Sequence, residues 1–72
     1  MPKRRVENSV REERVKRGLS QQRLADLTHL ARLSIISIEK GRFLPSIENA
    51  LLISEALGEP VYKLFWLTKG QK

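Results

Sequence analysis

The 72-residue chain offers few side chains that could perform catalysis. It contains no cysteine, which excludes a thiolate metal site and a cysteine nucleophile. Its one histidine, His29, follows Ser20 and Asp26 in one short helix-and-turn segment, which cannot bring the three side chains together around an oxyanion site. Paired carboxylates and a phosphate-cradling glycine loop are also missing from the sequence. We therefore expect no enzymatic activity, no cofactor, no metal site and no small-molecule ligand, and interpret His29 as a surface turn residue.

Positive charge is the chemical feature that remains. The chain has 14 Lys and Arg against 8 Asp and Glu, a formal net charge of +6. All of this excess lies in residues 1–43, while residues 44–72 are balanced. A one-sided basic field is expected of a protein that binds a polyanion, although an incidental basic face gives the same composition. The cluster Lys3-Arg4-Arg5 is either a solvated tail or an arm that lies along a nucleic-acid backbone or in its minor groove.

Apolar residues recur at intervals of three and four, which predicts short helices and an all-α fold. Asn8, Ser20 and Ser46 are good N-cap residues for three of these helices, and Pro60 suits the first turn of another. The predicted helices cover residues 8–17, 21–28, 32–40, 47–57 and 61–65. Their predicted inward faces carry Val10, Val15, the stem of Arg14, Leu24, Ala25, Leu27, Ile35, Ile38, Ile47, Ala50, Leu51, Ile53, Leu57, Val61, Leu64 and Phe65.

The chain is organised as one domain with short terminal segments. We predict a basic N-terminal arm over residues 1–7, a helical domain over 8–67 and a polar tail over 68–72. The basic start has no apolar stretch behind it, as a secretory signal would, and the longest aliphatic run is too short to span a bilayer. Together with the absence of cysteine, these features favour a cytoplasmic protein without membrane contact.

The second and third predicted helices have the pattern of a helix-turn-helix. Ala25 is small enough for the third helix to cross closely, and Leu30, Ile35 and Ile38 are placed to hold that crossing. In such a pair the second helix presents its N-terminal half outward, where it can enter a DNA major groove.

Four segments in order carry a specific resemblance: GLSQQRLA at 18–25, SIISIEKG at 34–41, LPSIENAL at 44–51, and ALG followed by PVYKLF within 56–65. Through them the chain resembles the Cro/repressor-type, or Xre, family of helix-turn-helix regulators, most closely its short stand-alone members. The resemblance implies a five-helix, lambda-repressor-like DNA-binding domain in which helices two and three form the motif. It also implies a sequence-specific transcriptional regulator, a repressor that binds double-stranded DNA.

The resemblance assigns roles to particular residues. The positions that match base-contacting residues at the front of the recognition helix are Arg32, Leu33, Ile36 and Ser37. The positions that match DNA phosphate contacts are Gln21, Gln22, Lys40 and Arg42. Arg14 and Glu39 match a buried structural ion pair.

Three departures from the family pattern affect these assignments. His29 stands where a turn glycine is usual, and Ala31 stands where a Ser or Thr usually caps the recognition helix. Leu33 and Ile36 replace residues that are more often polar, so they favour contact with thymine methyl groups over hydrogen-bonded readout. Arg32 is then the one strong base-edge donor on this face, suited to guanine.

Apolar residues near the C-terminus predict a homodimer. Leu52, Tyr62, Trp66 and Leu67 are the expected interface residues on helices four and five, and the dimer would bind an inverted-repeat operator. Trp66 could instead fill the core of a monomer. The alternative function is a protein-interaction module, such as the antitoxin partner of a toxin, with Leu33 and Ile36 as its binding patch and DNA binding secondary.

Overall fold

The computed structural model describes residues 4–69, which form five helices and two short strands. Lys3 of the predicted arm and residues 70–72 of the predicted tail lie outside the described residues. The elements are, in order, β1 (Val6–Asn8), α1 (Val10–Lys16), α2 (Gln21–Thr28), α3 (Arg32–Glu39), α4 (Ile47–Leu57), α5 (Val61–Leu64) and β2 (Phe65–Leu67). All five predicted helices are present. None of the helices in this part of the chain is long and apolar enough to cross a membrane.

Local sequence signals account for most helix boundaries. The hydroxyl oxygen of Ser20 accepts a hydrogen bond from the Arg23 N–H, and that of Ser46 accepts one from the Asn49 N–H, so both serines act as N-caps. At the other end of α4, Gly58 adopts a left-handed conformation with φ 68°, which glycine enters without steric cost. The N–H groups of Gly58 and Glu59 both donate to the Ser54 carbonyl in this turn, which ends the helix.

The prediction of a five-helix fold is confirmed, but the fold is not strictly all-α, because β1 and β2 form an antiparallel pair. Val6 lies opposite Leu67, and Asn8 lies opposite Phe65. Thr68 extends the pairing, since its N–H donates to the Arg5 carbonyl at 2.7 Å and its hydroxyl accepts from the Arg5 N–H at 3.0 Å. Three-residue strands are too short to show the alternation that identifies a strand, and their partners lie at opposite ends of the chain.

The junction between β1 and α1 corrects the predicted start of the first helix. Asn8 belongs to β1, and Ser9 is the N-cap of α1 without making a side-chain cap bond. The Asn8 amide oxygen still accepts from the Val10 N–H, while its amide nitrogen donates to the Ile38 carbonyl at 3.0 Å. The Ser9 hydroxyl donates to the Lys63 carbonyl instead. The N-terminal segment is thereby attached to both α3 and α5.

The core lies where α1, α2, α3, α4 and α5 meet. Its fully buried side chains are Val10, Leu24, Ala25, Ile35, Ile38, Ile53, Leu57 and Leu64. Four apolar residues that were predicted to point inward are instead exposed: Val15, Leu27, Ile47 and Leu51. In α4 this occurs because apolar residues surround most of the helix, so spacing alone does not select the face that packs.

Candidate nucleic-acid interface

A buried ion pair joins the first helix to the end of the third. The Arg14 guanidinium donates from Nε to Glu39 Oε2 at 2.6 Å and from Nη2 to Glu39 Oε1 at 3.2 Å. Its remaining nitrogen, Nη1, donates to the Leu19 carbonyl at 2.8 Å. The two side chains are only 10% and 3% exposed. The pair therefore fixes α3 relative to α1 and to the turn that precedes α2.

The two glutamines expected to bind phosphates contact carboxylates of their own chain. Gln21 donates from Nε2 to Glu39 Oε1 at 3.2 Å, and so joins the Arg14–Glu39 pair. Gln22 donates to Asp26 Oδ1 at 2.9 Å across one turn of α2. Each amide keeps a second N–H, so both side chains retain a donor for an anion.

The connection between α2 and α3 has the geometry of a tight helix-turn-helix. His29 ends α2 with φ 59°, and its N–H donates to the Ala25 carbonyl, which also accepts from the Leu30 N–H at 3.1 Å. Left-handed backbone at a residue other than glycine is strained, at a cost of about 1 kcal/mol. Ala31 occupies the N-cap of α3 and makes no side-chain cap bond. The departures from the family pattern at His29 and Ala31 therefore appear in the structure as a strained turn and as an N-cap without a side-chain bond.

The start of α3 faces solvent. Arg32 is exposed and Leu33 is 74% exposed, whereas Ile36 and Ser37 are half-buried. Lys40 and Arg42 are exposed in the turn that follows α3. Leu33 therefore presents an aliphatic side chain to solvent beside the exposed cation Arg32.

A concavity of about 680 Å³ lies between α1, α2 and α3. The described residues that line it are Arg11, Arg14, Ser20, Gln21, Gln22 and Arg32. None of these six side chains is a carboxylate. The concavity therefore brings both predicted phosphate-binding glutamines together with Arg32, which was predicted to contact a base. Lys40 and Arg42 do not line it.

Arg11 is the residue of this concavity that sequence reasoning missed. It precedes Arg14 by three positions, so the two arginines share one face of α1. This spacing is the signal that could have identified Arg11 once Arg14 was placed against α3.

Some cations near the concavity pair with carboxylates and others do not. Glu13 pairs with Lys16 at 3.4 Å and with Arg17 at 2.8 Å, and Arg17 also lies 3.5 Å from Glu59. The pKa of Glu13 is lowered mainly because Arg17 donates a hydrogen bond to its carboxylate. Among the ion pairs formed within residues 4–69, none involves Arg11 or Arg32. Uncompensated positive charge is therefore located at the concavity.

The residues predicted to form a dimer interface lie in the C-terminal half of the sequence, in α4, α5 and β2. Leu52 is half-buried, while Tyr62, Trp66 and Leu67 are exposed, with Trp66 opposite Glu7 in the strand pair. Leu52 also lines a shallow groove of about 440 Å³ on α4, together with Ile47, Glu48, Leu51 and Glu55. Ile47 and Leu51 were missed as surface residues because they were assigned to the core.

Comparison with known proteins places the chain among helix-turn-helix regulators. The family model described as "Helix-turn-helix" matches residues 10–64. The chain is 36% identical over 62 residues to an uncharacterized HTH-type transcriptional regulator, YgzD, of Bacillus subtilis, covering 86% of this chain and 94% of that protein. It is 45% identical over 49 residues to an uncharacterized HTH-type transcriptional regulator of Methanothermobacter thermautotrophicus, covering 68% of this chain and 71% of that one.

Two solved structures resemble the fold at comparable identity. The restriction-modification controller protein C.AhdI of Aeromonas hydrophila superposes with a TM-score of 0.72 at 35% identity, over 75% of this chain and 82% of that chain. The hypothetical transcription factor NHTF of Neisseria superposes with a TM-score of 0.71 at 31% identity, over 75% of this chain and 61% of that chain.

Replacing Glu39 with leucine should destabilise the fold by about 3–5 kcal/mol, because the Arg14 guanidinium stays buried without its counter-charge. The double variant Arg14→Met with Glu39→Leu should recover most of this loss, since it removes both charges. Urea unfolding measures the free energy of each variant. The control Glu12→Leu, at an exposed carboxylate of α1 that forms none of the ion pairs within residues 4–69, should change stability by less than about 1 kcal/mol. A loss below about 1 kcal/mol for Glu39→Leu would contradict a structural role for the pair.

Proposed function

Because the chain belongs to the Xre-type helix-turn-helix family of transcriptional regulators, we propose that it is a sequence-specific DNA-binding repressor that acts as a homodimer on an inverted repeat. The observation that carries this proposal is the arginine-lined concavity beside the exposed start of α3. A duplex seated there would place its backbone against the concavity and its major groove against α3.

In this arrangement, contacts to bases come from the exposed front of α3. Leu33 and Ile36 suit the methyl groups of thymine, which an aliphatic side chain can contact in the major groove. Ser37 can donate to or accept from a base edge. Contacts to phosphates come from Gln21 and Gln22 on one side of α3, and from Lys40 and Arg42 in the turn after it.

The distribution of charge and apolar surface supports a homodimer through α4, α5 and β2. Two copies that each carry a net charge of +6 repel one another least where they meet through the balanced half of the sequence, residues 44–72. That half also holds the groove with Ile47 and Leu51, which are 81% and 56% exposed. A two-fold dimer then presents two copies of α3 to half-sites about 10 base pairs, or a multiple, apart. Repression follows when the bound dimer covers a promoter.

Selection from sheared genomic DNA, at near-physiological salt and with excess nonspecific competitor, tests sequence-specific binding. We expect enrichment of one short inverted repeat. Binding to it should weaken with salt by about 0.9 log units per log unit of salt for each phosphate neutralised. Salt-labile binding without enrichment would contradict sequence-specific recognition. Recovery of one stoichiometric protein partner in a pull-down would then support the alternative, in which Leu33 and Ile36 contact a protein.

Substituting Leu51 with lysine should convert the dimer to a monomer, because it places a charge in the apolar groove of α4. Leu51 is largely exposed, so the monomer should remain folded, as judged by circular dichroism. Light scattering coupled to size-exclusion chromatography measures the mass. The control Leu33→Lys, which adds the same charge on α3, should leave the dimer intact. A wild-type monomer, or a dimer that persists in Leu51→Lys, would contradict this interface.

A further inference from the structure

We propose that Arg11 and Arg32 jointly bind one phosphate of the DNA backbone in the concavity between α1, α2 and α3, so that Arg32 does not read a base. This inference rests on the proposed DNA-binding function, and it assigns a role to Arg11. It differs from the sequence-based expectation, in which Arg32 contacts guanine.

The position of Arg32 in its helix directs its side chain toward the concavity. Arg32 is the first residue of α3, and the Cα–Cβ bonds of an α-helix tilt toward its N-terminus. The side chain consequently lines the concavity together with Arg11, Gln21 and Gln22. Leu33, the next residue, remains 74% exposed outside it. Adjacent residues of α3 thus serve different parts of a duplex.

The charges of the concavity favour an anion between the two arginines. The third arginine that lines it, Arg14, already pairs with Glu39 and donates to the Leu19 carbonyl. Within residues 4–69, neither Arg11 nor Arg32 has a carboxylate partner, and no carboxylate lines the concavity. Two guanidinium groups around one cavity repel each other unless an anion lies between them.

Phosphate is the anion that matches these donors. A guanidinium presents two parallel N–H groups, which fit two oxygens of a phosphate. The second amide N–H groups of Gln21 and Gln22 supply further donors at the same place. The DNA backbone provides such phosphates in a fixed position beside the major groove.

This assignment separates the residues that give DNA affinity from those that give sequence preference. Phosphate contacts fix affinity and orientation without carrying sequence information, whereas base contacts carry specificity. With Arg32 on a phosphate, the sequence preference depends on Leu33, Ile36 and Ser37. The operator is then recognised mainly through thymine methyl groups, without an arginine–guanine contact.

Salt titrations of binding to two duplexes test the inference: the enriched operator and a 20-base-pair duplex of scrambled sequence. Arg11→Gln and Arg32→Gln should each weaken binding to both duplexes by a similar factor. Each should also reduce the salt slope by about 0.9, and the double variant by no more than that, since both arginines are needed to hold the same single phosphate. Selection with Arg32→Gln should enrich the same sequence as the wild type. The control Lys63→Gln, which removes an exposed cation from α5, should leave the slope unchanged.

The outcomes separate this inference from the proposed function. Relaxed preference at one guanine in Arg32→Gln, or an unchanged slope in Arg11→Gln, would overturn the shared phosphate site while leaving sequence-specific binding intact. If selection enriches no sequence but both variants still reduce the slope on the scrambled duplex, the phosphate site stands and sequence-specific repression fails. A wild-type protein that binds neither duplex overturns both.

Discussion

The buried contact between Arg14 and Glu39 is the constraint on which the rest of the interface depends. Glu39 is the last residue of α3, and through its two carboxylate oxygens it meets Arg14 of α1 and Gln21 of α2. Burying two charges is expensive, and their attraction offsets that cost only when the geometry is good and the remaining donors are satisfied. The Leu19 carbonyl satisfies the third nitrogen of Arg14. The network therefore contributes less to overall stability than to the fixed arrangement of α1, α2 and α3.

That fixed arrangement places Arg11, Gln21 and Arg32, from three different helices, around one concavity. The two terminal segments are held by other contacts, since β1 pairs with β2 and Asn8 donates to the Ile38 carbonyl. The basic part of the sequence, residues 1–43, forms β1, α1, α2 and α3, and the balanced part, residues 44–72, contains α4, α5 and β2. One half has the donors that an anionic duplex requires, and the other has apolar groups suited to a second copy of the chain.

Sequence reasoning predicted the elements whose signals are local. Ser20 and Ser46 cap α2 and α4, and the left-handed turn at His29 lies where a glycine was expected. It failed where the decisive partner is distant: β1 and β2 pair across nearly the whole chain. It also misplaced Ile47 and Leu51, because apolar residues lie on most sides of α4 and their spacing alone does not select the face that packs. Arg11 was missed for a related reason, since only the packing of α1 against α3 shows which of its cations meet α2.

A titration of the ¹⁵N-labelled protein with a short DNA duplex, followed by NMR, tests most directly whether the α1–α2–α3 surface is the one that contacts DNA. Addition of duplex should shift the backbone amide signals of Gln21, Gln22 and Leu33 and the side-chain Nε–H signals of Arg11 and Arg32. Signals of the exposed α4 residue Leu51 should not change when the wild-type dimer is already formed. Shifts confined to α4, α5 and β2, with α3 unaffected, would contradict this assignment of the DNA-binding surface.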